Sequence, residues 1–376
     1  MAKNAYIIET FLELVKTNVQ SRNERAIADL LKQKLTNMGC EVTEDGVGQL
    51  INGNTGNIIA TLRGDSAAPA VILSAHMDRV KKGENIKPII SESKITSDGS
   101  TILAADDVAG IAAILDGIRQ VKEADIPHGD IEIVFSVCEE QGVLGSRYLD
   151  FSRLKAKLAF VFDSPGAVGR IVNRAPSKSK IKVLVHGRSA HAGNEPEKGL
   201  NAIKVAAAAL MQVEDGRINE RLTANYGAIQ GGGSINVVCD YVEILGEVRS
   251  IATEEMREYI NGIKQSFAKV AQQYKTTIDV EVEELYETFQ VGEEEVVVQV
   301  AKRALQSVGA EVSVTPGGGG MDANNFNKAG IRAIGIASGY SKNHTLDEEV
   351  SIPDLIKSGT LVKEIISEVY KLNEQL

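Results

Sequence analysis

The chain has 376 residues, 43% of them hydrophobic, and a formal net charge of −10 at pH 7. This length suggests two domains and a large buried core, whereas the acidic balance argues against a nucleic-acid partner or an anionic membrane surface. The three cysteines are scattered, which disfavours a disulfide framework or a Cys-based zinc site. No apolar run reaches the length of a membrane span. We therefore expect a cytoplasmic protein with neither a nucleic-acid nor a membrane partner.

Helices and strands are predicted to alternate in the first part of the chain. Apolar residues at helical spacing predict helices at residues 1–20, 22–38, 108–121 and 144–154. Short runs of β-branched and aromatic residues predict buried strands at residues 57–62, 70–75, 131–137 and 158–162. Strands that are hydrophobic throughout are typical of a parallel sheet with helices on both faces.

A different pattern begins near Ala175 and ends before Glu293. It predicts strands at 180–186, 237–248 and 277–285, and helices at 200–213 and 253–274. After Glu293 the first pattern returns, with a strand at 331–337. We expect an α/β fold whose main domain is mostly parallel and doubly wound, built from residues 1–175 and 288–376. Residues 176–287 would form an inserted α+β sandwich.

Acidic or histidine side chains follow five apolar runs that predict strands: His76, Asp106, Glu139 with Glu140, Asp163 and His344. Each has an ordinary explanation taken alone, since Asp106 beside Asp107 would cap a helix and Asp163 would suit a turn. Strand ends of a doubly wound sheet nevertheless meet in one crevice. Imidazole nitrogens and carboxylate oxygens are ligands of zinc. The pattern therefore predicts a two-metal hydrolase site.

Other enzyme classes fit the sequence less well. The glycine run Gly317–Gly320 comes late in the chain and lacks the Gly-Lys-Ser/Thr ending of a phosphate-binding loop. The segment Gly232–Asn236 does not have the spacing of a serine nucleophile elbow. A catalytically inactive metal-binding scaffold stays open as the alternative from a different class.

The order of these residues resembles a known family. His76-x-Asp78, Asp106, Glu139-Glu140, Asp163 and His344, with Ser189–Gly193 in the inserted part, are similar to the dizinc metallopeptidases that include peptidase T, carboxypeptidase G2, succinyl-diaminopimelate desuccinylase and aminoacylase. The resemblance runs nearly end to end. Residues 105–112 and 317–326 are most similar to the peptidase T branch, although Val108 stands where that branch has Lys.

The resemblance implies two zinc ions per subunit, which cobalt or manganese could replace. It implies the following ligands: His76 and Asp163 for one ion, Glu140 and His344 for the other, and Asp106 as the bridge. Glu139 would be the general base that takes a proton from a water between the ions, and Asp78 would support the His76 imidazole. A cis peptide bond between Asp106 and Asp107 is also implied.

For the substrate, the resemblance implies a short peptide and a tripeptide aminopeptidase activity that releases the N-terminal residue. His191 would stabilise the oxyanion, within one subunit or across a dimer interface, and Arg249 with Asn236 would bind the substrate carboxylate. Gly318 and Gly319 would allow close approach of the substrate. The inserted domain would serve as a lid and form a homodimer. An N-acyl amino acid amidohydrolase or a carboxypeptidase with the same metal site stays open.

Overall fold

The computed structural model describes residues 5–375, and its helices bury one apolar face each. In the first helix that face includes Ile7, Phe11 and Val15, as the helical spacing predicted, together with Leu14. Residues 1–4 of the predicted helix lie outside the described part. The helices are α1 (Ala5–Lys16), α2 (Arg25–Asn37), α3 (Val47–Leu50), α4 (Ala105–Glu123), α5 (Leu144–Arg147), α6 (Ala202–Leu210), α7 (Thr253–Tyr274), α8 (Val296–Ser307), α9 (Asp322–Lys328) and α10 (Ile352–Tyr370). Among residues 5–375, no helix is both long and apolar enough to cross a membrane.

The strands are mostly short and buried in the first part of the chain and longer in the middle. They are β1 (Glu41–Glu44), β2 (Ile58–Leu62), β3 (Val71–His76), β4 (Ile89–Ile90), β5 (Lys94–Thr96), β6 (Ile131–Ser136), β7 (Leu158–Ser164), β8 (Arg170–Ala175), β9 (Ser177–His186), β10 (Gly216–Arg217), β11 (Leu222–Gly231), β12 (Tyr241–Ser250), β13 (Ile278–Tyr286), β14 (Phe289–Gln290), β15 (Ser313–Pro316), β16 (Arg332–Ala337), β17 (Tyr340–Ser341) and β18 (Glu349–Ser351). The chain forms two compact units, Met1–Ala175 with Phe289–Leu376, and Pro176–Thr288.

The main sheet of the first unit has the strand order β1-β2-β6-β3-β7-β16-β8-β14, with β15 beside β8. Its centre is parallel, because β3 pairs in parallel with both β6 and β7, and β7 pairs in parallel with β16. Antiparallel strands extend it on both sides, such as β2 beside β6 and β8 beside β16. The predicted α/β fold with a mostly parallel central sheet is therefore confirmed.

The register of the central strands brings their carboxyl ends to one edge. His76 at the end of β3 pairs with Ser136 at the end of β6. On the other side, Ser164 at the end of β7 pairs with Ala337 at the end of β16. Side chains that follow these strands therefore share the crevice where ligands of open α/β sheets bind. A small second sheet, in the order β17-β18-β5-β4, also belongs to this unit.

The second unit has its own sheet and its own core. Its strands have the order β10-β11-β12-β9-β13, and all of its pairs are antiparallel. Helices α6 and α7 contribute Ala206 and Phe267 to a buried cluster with Val183 and Ile244 of the sheet. One face of the sheet is thus covered by two helices, as expected for an α+β sandwich.

Four details of the predicted elements were wrong. Residues 102–105 form no strand: residues 102–104 are irregular and Ala105 begins α4. The helix predicted at 144–154 ends at Arg147, and Asp150 then accepts a hydrogen bond from the Ser152 N–H that starts a 3-10 turn instead. The strand predicted at 237–248 begins only at Tyr241. Strand β11 was not predicted, because its outer half is exposed and rich in glycine and polar residues.

Candidate metal centre and catalytic residues

Five predicted ligands lie close together in the first unit. His76 is the last residue of β3, Asp163 lies one residue before the end of β7, and Glu140 follows β6 in a 3-10 turn. Asp106 lies at the start of α4, and His344 lies in the loop between β17 and β18. His76 and Asp106 are buried, whereas the side chain of His344 is 45% exposed. The site is therefore closed to solvent at His76 and Asp106 and accessible to solvent at His344.

The carboxylate of Asp106 lies between the two imidazoles. Its Oδ1 is 3.2 Å from His76 Nε2, and its Oδ2 is 3.3 Å from His344 Nε2. Beyond them, Asp163 Oδ1 lies 3.8 Å from His76 Nε2, and Glu140 Oε1 lies 2.8 Å from His344 Nε2. The geometry is that of two clusters, each with one histidine and one outer carboxylate, that share Asp106.

Asp107 has different contacts from Asp106, to which it is joined by the cis peptide bond that the resemblance implied. The Gly110 N–H donates to Asp107 Oδ1 and the His76 N–H donates to Oδ2, both at 3.2 Å. His76, Asp107 and Asp163 come close enough to hold a cation, but both Asp107 oxygens already accept main-chain hydrogen bonds. Asp107 thus caps α4 and fixes the end of β3, whereas Asp106 faces the two imidazoles.

The ionisable groups of the site perturb one another strongly. Burial, and then the charge of Asp163, raises the pKa of Glu139 well above its usual value. Burial acts in the same direction on Asp106, but hydrogen bonds with His344 and His76 outweigh it and lower the pKa. Hydrogen bonds, the strongest with Asp106, raise the pKa of His344 to about 10. Such a cluster of buried carboxyls is stabilised by positive charge placed among them.

This donor set fits two divalent cations. Imidazole nitrogens and carboxylate oxygens are zinc ligands, and a carboxylate with an oxygen on each side can bridge two ions. His76 Nδ1 lies 3.1 Å from the main-chain oxygen of Asp78, so it donates there and the Nε2 lone pair faces Asp106. A hydrogen bond from the other ring nitrogen to a main-chain oxygen is usual for a histidine that binds a metal, because it fixes the tautomer and the ring orientation.

The carboxylate of Asp78 supports the general-base candidate rather than the imidazole alone. The Glu139 N–H donates to Asp78 Oδ1 at 2.8 Å, and the Glu140 N–H lies 3.3 Å from Oδ2. Asp78 Oδ1 is also 3.4 Å from His76 Nδ1, and Asp78 itself is 1% exposed. One buried carboxylate therefore connects the end of β3 to the turn that carries Glu139.

Glu348 is a site residue that the sequence did not reveal. The N–H groups of Leu103 and Ala104 donate to its Oε2 at 2.9 and 2.7 Å, and the Asp106 N–H donates to Oε1 at 3.0 Å. Burial raises the pKa of Glu348 to about 7. These bonds satisfy the amides of the segment predicted as a strand, which explains why the segment needs no neighbouring strand. Its position four residues after His344 was the only signal.

Two more unpredicted residues precede His344. The Tyr340 hydroxyl donates to Asp163 Oδ1 at 3.2 Å, and Asn343 Nδ2 donates to Asp106 Oδ2 at 2.7 Å. Each therefore orients a carboxylate of the proposed ligand set. Their closeness to His344 in sequence could have suggested them, but tyrosine and asparagine are common in loops.

His191 and Asn236, the predicted substrate residues, lie on adjacent exposed turns of the second unit. The Ala192 N–H donates to the main-chain oxygen of Asn236 at 2.9 Å. His191 Nδ1 accepts hydrogen bonds from the N–H groups of Gly193 and Asn194 at 3.2 and 3.1 Å. An Nδ1 that accepts leaves the proton on Nε2 in the neutral ring. His191 thus presents a donor to its surroundings.

Arg249 lies on β12, where its Nε donates to Glu247 Oε1 at 2.7 Å. Burial opposes the charge of Arg249, but the hydrogen bond with Glu247 outweighs it and raises the pKa. His186, which the sequence assigned no function, binds Asp279 at 2.8 Å, and His128 binds a main-chain oxygen at 2.7 Å. Both have the contacts of structural histidines.

The glycine loop Gly317–Gly320 lies in the first unit between β15 and α9. The Gly317 N–H donates to the main-chain oxygen of Arg174 at 2.7 Å, and a side chain at Gly318 would meet open space. Gly318 is exposed and Gly319 is partly exposed. One end of the loop is thus fixed, and the next residues expose main chain.

Two solved structures and one sequence relative resemble the chain closely. Aminopeptidase PepT from Bacillus cereus ATCC 10987 is 40% identical, with a TM-score of 0.88, covering 97% of this chain and 98% of that one. A tripeptidase from Staphylococcus aureus subsp. aureus Mu50 is 34% identical, with a TM-score of 0.92, covering 98% and 99%. The uncharacterized protein YqjE of Bacillus subtilis (strain 168) is 38% identical over 371 residues, which are 99% of this chain and 100% of the relative.

A family model covers most of the residues described above. The model of peptidase family M20/M25/M40 matches residues 72–368, a range that begins in β3 and contains all five proposed ligands. The resemblance to this family of metallopeptidases is thereby confirmed. The chain belongs to peptidase family M20/M25/M40 and is a peptidase.

Proposed function

We propose that this peptidase is a dizinc tripeptide aminopeptidase, which releases the N-terminal residue of short peptides. One observation carries the proposal: Asp106 offers one oxygen to each of two imidazoles, those of His76 and His344. Two cations a few ångströms apart need such a shared carboxylate. The names of the similar aminopeptidase and tripeptidase support the choice of substrate.

The proposed ligand sets follow the two clusters. His76 and Asp163 would hold one ion, Glu140 and His344 would hold the other, and Asp106 would be shared between them. We propose zinc because each ion would have three protein ligands, one imidazole nitrogen and two carboxylates, as is common for catalytic zinc. Cobalt and manganese accept the same donors, so the order of metal-dependent activities is a property to measure.

Glu139 is the proposed general base. When bound, two cations make a water molecule more acidic and polarise the scissile carbonyl. The Glu139 carboxylate accepts the proton of the attacking water and later donates it to the nitrogen of the leaving amine. Asp78 holds the Glu139 main chain through the 2.8 Å hydrogen bond. Because Glu139 is 9% exposed, bulk water has little access to the proton during the transfer.

The second unit is proposed to bind the substrate. His191 Nε2–H would donate to the oxyanion of the tetrahedral intermediate, and the tautomer set by Gly193 and Asn194 supports this role. Arg249 would bind the substrate carboxylate with Asn236, in which case Glu247 must share the guanidinium. Gly318 and Gly319 of the first unit would offer main-chain groups to the peptide.

A homodimer through Pro176–Thr288 is part of the proposal, with this unit also acting as a lid. Its physical support is the outer half of β11, which is exposed and carries Ile229, 57% exposed. Within residues 5–375, β10 pairs only with Thr223 and Ala224 of β11, so the rest of that edge can pair with another chain. A cytoplasmic location stays a prediction.

The test uses a free tripeptide, its N-acetylated form and the same peptide with a C-terminal amide. Release of the first residue from the free and amidated peptides, lost on chelation and restored by zinc, supports the aminopeptidase. Preference for the acetylated peptide indicates an N-acyl amino acid amidohydrolase. Release of the last residue indicates a carboxypeptidase. A protein that binds two metal ions and cleaves none of the three would contradict the proposal and favour the inactive scaffold.

A further inference from the structure

The loop between α1 and α2 contacts residues 137–140, the turn that carries the proposed general base Glu139 and is called the catalytic turn below. This loop precedes the region that the family model matches. Ser21 lies in this loop, and Glu24 directly precedes α2. The Ser21 hydroxyl donates to Asp78 Oδ2 at 2.6 Å. Glu24 is fully buried, and its Oε1 accepts the Cys138 N–H at 3.1 Å. Cys138 immediately precedes Glu139, so both side chains act near the proposed general base.

Four consecutive amides in the catalytic turn donate to side chains. The pairs are Val137 with Asn57 Oδ1 at 3.0 Å, Cys138 with Glu24 Oε1 at 3.1 Å, Glu139 with Asp78 Oδ1 at 2.8 Å and Glu140 with Asp78 Oδ2 at 3.3 Å. Cys138 has a φ of 50°, in the left-handed region that residues other than glycine rarely adopt. The turn that aims Glu139 therefore depends on these acceptors to keep its shape.

Ser21 limits the rotation of the Asp78 carboxylate. Without the Ser21 hydroxyl, Asp78 Oδ2 keeps, among the described residues 5–375, the longer 3.3 Å hydrogen bond with the Glu140 N–H. The loop is itself fixed near Asp78, because the buried guanidinium of Arg79 donates to main-chain oxygens of Leu14 and Thr17 at 2.6 and 2.8 Å. A rigid support behind a catalytic group is needed because displacements of about 1 Å are costly to the reaction.

We propose that Ser21 and Glu24 are positioning residues, which hold the turn at Cys138–Glu140 so that the Glu139 carboxylate keeps its reactive orientation. This inference rests on the proposed role of Glu139 as the general base. Within residues 5–375, no side-chain hydrogen bond joins Ser21 or Glu24 directly to a proposed metal ligand. Ser21 acts through Asp78, which supports the turn and is not itself a proposed ligand. Their removal should therefore affect the proton-transfer step more than metal binding or substrate affinity.

The main test is Ser21→Ala, assayed as the full-length, metal-loaded protein. We expect kcat to fall about tenfold, equivalent to about 1.4 kcal/mol in the activation barrier. KM should stay within about twofold, with two metal ions still bound per chain, because Ser21 acts through Asp78, which binds Glu140 at its main-chain N–H and not at its carboxylate. Ser21→Thr, which keeps the hydroxyl, should recover most of the lost kcat. Glu24→Gln keeps an oxygen acceptor and should be milder than Glu24→Leu.

The control is Ser358→Ala, since Ser358 is a buried serine of the first unit whose hydroxyl donates to the main-chain oxygen of Leu355 in its own helix, at 2.7 Å. Its kcat should stay near that of the wild type. Amide hydrogen exchange of residues 137–143 gives a readout that needs no substrate. Faster exchange there in Ser21→Ala alone supports the inference even if no tripeptide is cleaved, in which case only the proposed substrate fails. Unchanged kcat with unchanged exchange, or an equal loss in Ser358→Ala, would overturn it.

Discussion

The proposed metal ligands of the first unit and the substrate residues proposed in the second unit are held in different ways. Asp106 is buried, and its two oxygens and its N–H all have partners. His191 is exposed, and its ring is held through Nδ1 by two main-chain N–H groups of its own turn. The first arrangement is fixed before any substrate arrives. The second leaves Nε2–H free to act when a substrate binds, so the two regions should respond differently to substitution.

The largest effect is expected for Glu139→Gln. The amide cannot accept the proton, so kcat should fall about 10³- to 10⁴-fold, while the metal content stays at two ions per chain. Steady-state kinetics and elemental analysis of the same sample measure both quantities. Glu132→Gln is the matched control, because Glu132 is a second buried glutamate of the first unit, and its carboxylate accepts the N–H groups of Lys155 and Ala156. A comparable loss of kcat in the control would contradict the assignment.

His191→Ala should come next, with a fall in kcat of about 10²- to 10³-fold, the range for loss of one oxyanion donor. The melting temperature should hardly change, because His191 is exposed and the hydrogen bonds that its ring accepts come from its own turn. The control is His186→Ala, which removes another histidine of the same unit, one that binds Asp279. If the two variants lost activity equally, the proposed role of His191 would be wrong.

Mixing His191→Ala with Glu139→Gln tests the dimer, since recovered activity would mean that His191 acts across subunits.

The sequence predicted the site residues that lie at the ends of regular strands, but not those that loops bring to the site. Strands β3, β6 and β7 are continuous apolar runs, which is typical of a parallel sheet. Their parallel arrangement brings His76 and Asp163 to one edge, independently of the conformations of the loops. Glu348 could not be found this way, because its hydrogen bond to Asp106 spans 242 positions in the sequence. Its role depends on where a loop passes, and an acidic residue in a loop is ordinary.

The same reason explains what the sequence missed elsewhere. Ser21 and Glu24 precede an amphipathic helix, where serine and glutamate are expected as capping residues. Glu24 does occupy the N-cap position of α2, but no side-chain cap bond is formed there, and its carboxylate binds Cys138 instead. The residues 102–105 were predicted as a strand because apolar content does not reveal whether a partner strand or a buried carboxylate will satisfy the amides.

Glu348→Gln tests whether the metal centre depends on the main chain that carries Asp106. The amide group would direct a donor at one of the three N–H groups now bound by Glu348. We expect metal affinity to weaken about 10- to 100-fold, with activity restored by excess zinc, and titration of the metal-free protein measures it. Glu349→Gln alters only contacts with Lys94, Lys342 and Ser341 near the surface and should bind metal normally. Activity that excess metal does not restore would indicate a general loss of structure instead.

The smallest effect is expected for Arg249→Lys, which keeps the charge but loses the planar fork that binds a carboxylate through two hydrogen bonds. KM for a free tripeptide should rise about tenfold with kcat less affected, because the interaction would be made equally in the ground state and the transition state. Arg257→Lys is the control, since Arg257 binds Glu284 in the same unit through Nε at 2.8 Å. Replacing the C-terminal carboxylate by an amide should reduce the affinity for the wild type more than the affinity for Arg249→Lys, which keeps the charge but not the bidentate hydrogen bonds. If both proteins discriminate equally against the amide, Arg249 serves only its ion pair with Glu247, and the substrate carboxylate is bound elsewhere.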